Sequence, residues 1–348
     1  MRINKIEVPN YEDVRQCFDE ETGLHSIIAI HNTTLGKALG GTRLWPFENE
    51  SEALKDVLRL SQGMTRKAAM ANLASGGGKG VIIANQNQKT EKLLIAYAKF
   101  VNSFDGLFLT GEDVGISQID VVTMRAETPH IFGIRDPSIF TAAGVFRSIK
   151  KCAKYLYGNG DLRNRTIAIQ GVGHVGYNLA LDLLAEGAHL VITDIDKGLA
   201  ERVADKLEIP NVEPERIFSV KCDIFVPCAL GGILNKETIP KLKCKIVAGA
   251  ANNQLAEESD GYELLKRDIL YVPDYVINAG GLISVYMEKM GMFEFPAIHH
   301  RVSKIAETVE KIITIAKECN EPPQITADRM ADTKIRLAAD AQNRSYWI

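Results

Sequence analysis

The sequence predicts an α/β protein of two domains, the second a doubly wound parallel sheet. Three observations carry this. A chain of 348 residues exceeds one ordinary domain. From about residue 141 short apolar strands alternate with helical stretches, the order a parallel sheet requires. One strand-to-helix junction, Gly171-Val172-Gly173-His174-Val175-Gly176, is a glycine turn of the kind that opens such a sheet to a ligand. The expected boundaries are 1–133 for the first domain and 141–318 for the second. A C-terminal helical segment, 319–348, is expected to return to the first domain.

In the first domain, Ser26-Ile27-Ile28-Ala29-Ile30-His31 reads as a strand, and Leu35 to Arg43 as a glycine-interrupted turn into another. Glu50 to Met64 has helical period, with Ala53, Leu54, Val57, Leu58 and Leu60 on one broad face. Val81 to Ala84 reads as a strand and Glu91 to Ser103 as an amphipathic helix. Phe108 to Gly115 reads as a strand running into a loop, and Thr141 to Tyr157 as a helix. Strands of the second domain are placed at Thr166–Gln170, Leu190–Thr193, Ile224–Val226, Ile246–Ala248 and Ile269–Tyr271. The stretch Val302 to Ser345 reads as helical.

The glycine turn gains weight from its setting. The strand Thr166–Gln170 precedes it, an apolar helix follows, and Asp194 ends the next strand 23 residues after Gly171. There Gly171 makes the turn, Gly173 admits a pyrophosphate to the backbone, and Gly176 lets helix and strand pack closely. The pyrophosphate rests on free N–H groups of the helix N-terminus. Asp194 accepts from a ribose diol and repels a 2′-phosphate, which favours NAD over NADP. The loops at the strand ends add Cys228, Ala229 and Leu230, Asn253, and Asn278. The asparagines can hold a carboxamide or a ribose, or serve only as turn residues. With Val172, His174, Val175 and Ile195, these residues make up the expected cofactor site.

Two lysines stand out in the first domain. Lys79 follows Gly76-Gly77-Gly78 and precedes the strand-like run at Val81, so it is expected on a tight glycine turn. Lys67 lies on an Ala/Met-rich helix able to pack against that turn. Two ammonium groups facing one cleft repel each other. Repulsion and desolvation both lower a lysine pKa from its ordinary value of about 10.4. A lysine so lowered can serve as a base near neutral pH.

A net charge of −3 points to neither nucleic acid nor an anionic membrane. The first residues lack the apolar core of a signal peptide, and no apolar run is long enough to span a bilayer. Of six cysteines none forms a C-x-x-C pair, and Cys222 and Cys228 bracket a strand. The expectation is a reduced, cytoplasmic protein without a metal.

These stretches together resemble the glutamate/leucine/phenylalanine/valine dehydrogenases, and within them the leucine-dehydrogenase-like branch. The matching segments are Leu39 to Arg43, Gly63 to Gly80, Glu112 to Gly115, Gly171 to Gly176, Cys228 to Gly232, Asn253 to Leu255 and Pro273 to Gly281. The resemblance implies NAD-dependent oxidative deamination of an L-amino acid in a cleft between two α/β domains of a homo-oligomer, a dimer or an octamer. By it Lys79 is the catalytic base and Asp113 shuttles protons to the amine. Lys67 anchors the substrate carboxylate, aided by the backbone at Gly40. Leu39, Gly41, Met64, Gly111, Thr141, Asn253, Leu282 and Val285 complete the implied substrate site. The chemistry fits: hydride leaves for nicotinamide, water adds under a base, and ammonia departs with a proton.

Two features depart from the branched-chain relatives. Gly111 stands where they carry alanine, and Leu282 where they carry valine. Glycine adds room for an aromatic side chain, unless Gly111 answers only a backbone requirement. The connection Phe132 to Phe140 is shorter than the usual Gly/Ser/Pro-bearing loop. The expectation is therefore a dehydrogenase of aromatic or large apolar amino acids. A branched-chain enzyme is one alternative. An NAD-binding sensor or assembly protein of impaired catalysis is the other.

Overall fold

The computed structural model describes residues 1–345. Positions 346–348 of the expected C-terminal segment lie outside the described residues. The chain divides into two compact units. The first comprises Met1–Asp136, Glu288–Gly291 and the chain from Ala331, and the second Pro137–Met287 and Met292–Met330.

The first unit is built on a seven-stranded sheet of order β1-β2-β3-β6-β4-β7, with β5 also paired to β6. Its strands are β1 (Arg2–Lys5), β2 (Asp13–Asp19), β3 (Leu24–Asn32), β4 (Ala38–Leu39), β5 (Thr42–Trp45), β6 (Gly76–Ile83) and β7 (Phe108–Leu109). Its helices are α1 (Glu50–Met70), α2 (Glu91–Asn102) and α3 (Gln118–Arg125). β3 runs antiparallel to β6, whereas β4 and β5 run parallel to it. Alternate residues of β3 feed two cores. Ile27 and Ala29 pack with Ala53 and Val57 of α1, while Ile28 and Ile30 join Tyr97 and Phe100 of α2. Covering on both faces explains the unbroken apolar run of β3. Each such fully buried side chain contributes about 1.5–3 kcal/mol.

The glycines before Lys79 are not a turn. They belong to β6, and Lys79 pairs with Ala29 in mid-strand. The reason is the closeness of the covering layers. A Cβ on Gly77 would lie 2.1 Å from the Thr65 nitrogen of α1, and one on Gly78 2.7 Å from the Phe108 ring. α1 is also longer than its period suggested, reaching Met70 instead of stopping at Met64. Asn49 caps its first turn by accepting from the Glu52 N–H. Gly63 interrupts the apolar pattern without breaking the helix.

The second unit carries α4 (Ser138–Tyr157), β8 (Thr166–Gln170), α5 (His174–Ala185), β9 (His189–Thr193), α6 (Lys197–Leu207), β10 (Ile224–Pro227), β11 (Ile246–Val247), α7 (Asp260–Lys266), β12 (Leu270–Tyr271), α8 (Asp274–Ile277), most of α9 (Gly280–Lys289), α10 (Phe295–Cys319) and the start of α11 (Pro323–Ser345). Its sheet has the order β12-β11-β10-β8-β9, every pair parallel. After β9 the chain crosses back to lay β10 on the other side of β8. The reversal puts a topological switch point at the carboxyl end of β8, where ligands of such sheets bind.

The helical tail differs from the expectation in two ways. It is two helices, broken where Asn320 turns left-handed at φ 51° ahead of Pro322 and Pro323. Residues through Met330 group with the second unit, so only the chain from Ala331 belongs with the first. That part docks on α1: Arg66 pairs with Asp332 at 3.1 Å, and Lys334 reaches Asn72 at 2.7 Å. Among the described residues, no helix is long and apolar enough to cross a membrane.

Candidate active site

β5, β6 and the loop after β7 bring three charges of the first unit together. Lys79 Nζ lies 3.1 Å from Asp113 Oδ2, and Arg43 Nε lies 3.2 Å from the same oxygen. Arg43 also donates through Nη1 to Asp56 of α1 at 2.8 Å. Lys79 is 5% exposed. Burial pushes the Asp113 carboxyl up, but the adjoining Lys79 and Arg43 outweigh it and hold the group below the usual carboxylate range. Lys79 thus faces a carboxylate at ion-pair distance. Lys67 sits in the last turn of α1, half-buried. α1 covers the face of β6 that carries Gly77, Lys79 and Val81.

The backbone around this group has no space for side chains. A Cβ on Gly40 would lie 1.8 Å from the Gly78 carbonyl oxygen and 3.3 Å from Met64 Cγ. One on Gly41 would lie 2.4 Å from the Glu112 oxygen and 2.9 Å from Asp113 Cβ. Gly40, Gly41 and Met64 thus pack as one layer against Gly78, Glu112 and Asp113, with Leu39 buried on β4 beside it. Beneath it Thr42 Oγ1 contacts Tyr97 Oη at 2.6 Å and Thr110 Oγ1 at 2.7 Å. This buried hydroxyl chain ties β5 to α2 and to the loop that leads to Asp113.

Glycine at 111 has a backbone reason. A Cβ there would meet the Phe132 carbonyl oxygen at 2.2 Å, because Phe132 N–H bonds back to the Thr110 oxygen at 2.8 Å. The close approach of that chain favours the backbone reading of Gly111 over that of added side-chain room. Gly111→Ala is expected to cost about 1–3 kcal/mol through overpacking, read as a lowered midpoint of thermal unfolding.

In the second unit the fingerprint glycines divide their tasks. Gly171 adopts φ 93°, with its Cβ position 2.9 Å from Ala229. A Cβ on Gly176 would strike the Gly171 oxygen at 2.0 Å, whereas nothing lies within 4 Å of the Cβ position of Gly173. Gly173 begins α5 and faces open space, as an anion approaching N–H groups requires. Asp194 is oriented by the N–H groups of Val172 at 2.8 Å and Asp196 at 3.0 Å. Around the glycines His174 is exposed and Val175 half-buried, while Ile195 and Leu230 are bare apolar side chains at 88% and 73% exposure. Cys228 donates its N–H to Gln170 at 2.7 Å, and burial pushes its thiol up to about 12. Asn278 is 4% exposed; its amide donates to Ala250 O and Asn252 Oδ1, yet its Oδ1 is a buried acceptor without a partner. An orphaned amide oxygen, an open glycine and a fixed carboxylate fit a dinucleotide. Asn253 holds a left-handed φ of 51° and accepts from Gly232 N–H at 2.7 Å. Thr141 of α4 adjoins Gly281, whose Cβ position is 2.9 Å from Thr141 Oγ1. Leu282 and Val285 follow on α9, half-exposed and three residues apart.

Comparison with known proteins agrees with both halves. A profile described as "Glu/Leu/Phe/Val dehydrogenase, dimerisation domain" matches residues 12–133, and one described as "Glutamate/Leucine/Phenylalanine/Valine dehydrogenase" matches 192–342. The leucine dehydrogenase of Geobacillus stearothermophilus is 44% identical over 97% of this chain and 94% of its own. The chain belongs to the glutamate/leucine/phenylalanine/valine dehydrogenase family. Within that family it is also 47% identical to an L-tryptophan dehydrogenase of Nostoc punctiforme, over 96% of each chain. The crystal structure of L-tryptophan dehydrogenase from Nostoc punctiforme superposes with a TM-score of 0.83 at 45% identity, covering 95% of this chain and 97% of that one. A hetero-hexameric glutamate dehydrogenase of Thermus thermophilus, at 21% identity and TM-score 0.78, shares the fold. Family membership makes this chain an amino-acid dehydrogenase, an oxidoreductase using a nicotinamide cofactor.

Sequence reasoning missed two members of the site. Arg43 stood in a quoted motif without a role, and Asp56 was not singled out. A lone arginine beside glycines carries no signal until the parallel pairing of β5 with β6 puts Arg43 next to Val81.

Proposed function

We propose that the chain catalyses the reversible, NAD-dependent oxidative deamination of an L-amino acid with a large apolar side chain, giving the 2-oxo acid and ammonia. The carrying observation is the buried Lys79–Asp113 pair at 3.1 Å. A dinucleotide bound at Gly171 to Gly176 supplies the hydride acceptor. As the base, Lys79 Nζ takes a proton from the water that adds to the oxidised substrate carbon. Both cations of the cluster approach Asp113 at Oδ2. Oδ1 is therefore the oxygen that exchanges a proton with the amine. Lys67 holds the substrate carboxylate as a point charge, which selects amino acids over simple amines.

With Gly111 set by its backbone, the preference for an aromatic over a branched side chain rests on Leu282. The similarity to leucine, tryptophan and valine dehydrogenases supports both readings. The test is a panel of leucine, valine, phenylalanine and tryptophan with NAD, following NADH absorbance. Turnover of none of the four would favour an NAD-binding sensor or assembly role. Gly111→Ala is expected to lower kcat/KM on all four alike; a selective loss on phenylalanine and tryptophan would restore Gly111 as a pocket residue.

Asp194 sets the choice of NAD over NADP in this reading. Its carboxylate is already oriented by two N–H groups, so its charge faces a 2′-phosphate at fixed geometry. Like-charge juxtaposition costs several kcal/mol. Asp194→Ser combined with Ile195→Arg should raise NADP activity relative to NAD by roughly tenfold or more. A wild-type preference for NADP would contradict it. The match to a dimerisation domain supports assembly into a homo-oligomer, and we place the enzyme in the cytoplasm.

A further inference from the structure

We propose that Arg43, moored to α1 by Asp56, is a positioning residue that holds the carboxylate plane of Asp113 so that its uncontacted oxygen points at the substrate amine. The inference rests on the reading of Asp113 as the proton shuttle. Arg43 spans two carboxylates with two different nitrogens: Nε to Asp113 Oδ2 at 3.2 Å and Nη1 to Asp56 Oδ2 at 2.8 Å. Asp56 is itself braced by Arg59 at 3.2 Å on its other oxygen. Asp56, Arg43 and Asp113 thus run as a tethered line from the helix α1 across β5 to the loop after β7. A planar guanidinium with donors at fixed angles transmits orientation along such a line, which a lysine ammonium does not.

Two cations on one oxygen have a consequence. Lys79 and Arg43 both engage Oδ2, so the carboxylate cannot rotate without breaking an ion pair and a charge-assisted hydrogen bond at once. With Arg43 alone removed, Lys79 remains, but one contact through a flexible stem leaves the carboxylate free to swing. The two oxygens are equivalent, so what is lost is direction: the plane tilts about the single Lys79 contact and the free oxygen no longer points steadily at the amine. A misplacement of this order costs up to about 100-fold in rate. The charge effect runs in the same direction. The charged groups bearing on Asp113 are Lys79 from β6 and Arg43 from β5, with Asp56 of α1 acting through Arg43. Removing Arg43 takes away one of the two cations that keep the carboxyl ionised. Its pKa rises, so the loss of activity on acidification sets in at higher pH.

The experiment compares kcat, KM and pH profiles of Arg43→Gln, Arg43→Lys, Asp56→Asn and Asp113→Asn with the wild type, using whichever of the four amino acids it turns over. Arg43→Gln should lower kcat about 10- to 100-fold with KM for the amino acid changed less than about threefold. Its acid limb should move to higher pH. Arg43→Lys should keep the acid limb near its wild-type position yet recover only part of kcat. Asp56→Asn should lower kcat by a smaller factor without an upward shift of that limb. Should Arg43→Gln fail to fold, Arg43→Lys and Asp56→Asn decide, since wild-type kcat in both overturns the proposal. So does Arg43→Gln with unchanged kcat and acid limb while Asp113→Asn is impaired. Full activity of Asp113→Asn instead removes the shuttle reading on which the proposal rests.

Discussion

Lys79→Ala is expected to fold and to bind NAD, with kcat for deamination lowered by about 10²–10⁴. The fold should survive because removal of the lysine does not strand Asp113: Arg43 remains 3.2 Å from the same oxygen. The strand itself is held by its glycine backbone and by pairing with β3 and β5, none of which uses the lysine side chain. NAD binding should persist because Gly173, Asp194 and Asn278 belong to a unit that does not include Lys79. Titration of NAD by protein fluorescence beside steady-state rates separates the two effects. A variant that keeps most of its turnover would take Lys79 out of the mechanism.

Lys67→Ala should act on binding. The substrate carboxylate would lose a charge-assisted contact worth roughly 1.5–3 kcal/mol. That corresponds to KM for the amino acid raised about 10- to 150-fold, while KM for NAD stays within about twofold. Discrimination between the amino acid and its decarboxylated amine should shrink by the same factor. An unchanged KM for the amino acid would contradict the anchoring role, and an equal rise in both KM values would point to a general disturbance of α1.

The strands of the second unit were legible in the sequence. Thr166–Gln170 and His189–Thr193 are short apolar runs bounded by glycine and charge, and parallel strands buried on both faces read that way. The fingerprint glycines could be assigned tasks because each task follows from local geometry. The first unit was harder to read. β1 is wholly exposed, so no apolar alternation marks it. β6 begins with three glycines, which in isolation signal a turn. Only the proximity of Thr65 and Phe108, far away in sequence, makes them strand residues. The same blindness to distant neighbours left two readings of Gly111 open, because the carbonyl of Phe132 that crowds it lies 21 residues on. Lys79 and Asp113 were found from motif and resemblance. The arginine between Asp113 and Asp56 needed three-dimensional pairing to be seen.

The glycine floor of the first unit bears on how such a catalyst can change its diet. At 40, 41, 77, 78, 80 and 111 a first carbon of any side chain would fall within 2.7 Å of another atom. These positions are closed to exploration: every substitution begins with a collision before its polarity or shape can matter. The catalytic floor is consequently inherited whole. Leu282 and Val285, half-exposed on a helix of the other unit, carry no such veto and can vary one at a time. On the proposed assignment of Leu282 and Val285 to the substrate pocket, chemistry and appetite are written on separate pieces of the chain, one frozen by its own backbone and the other free to drift.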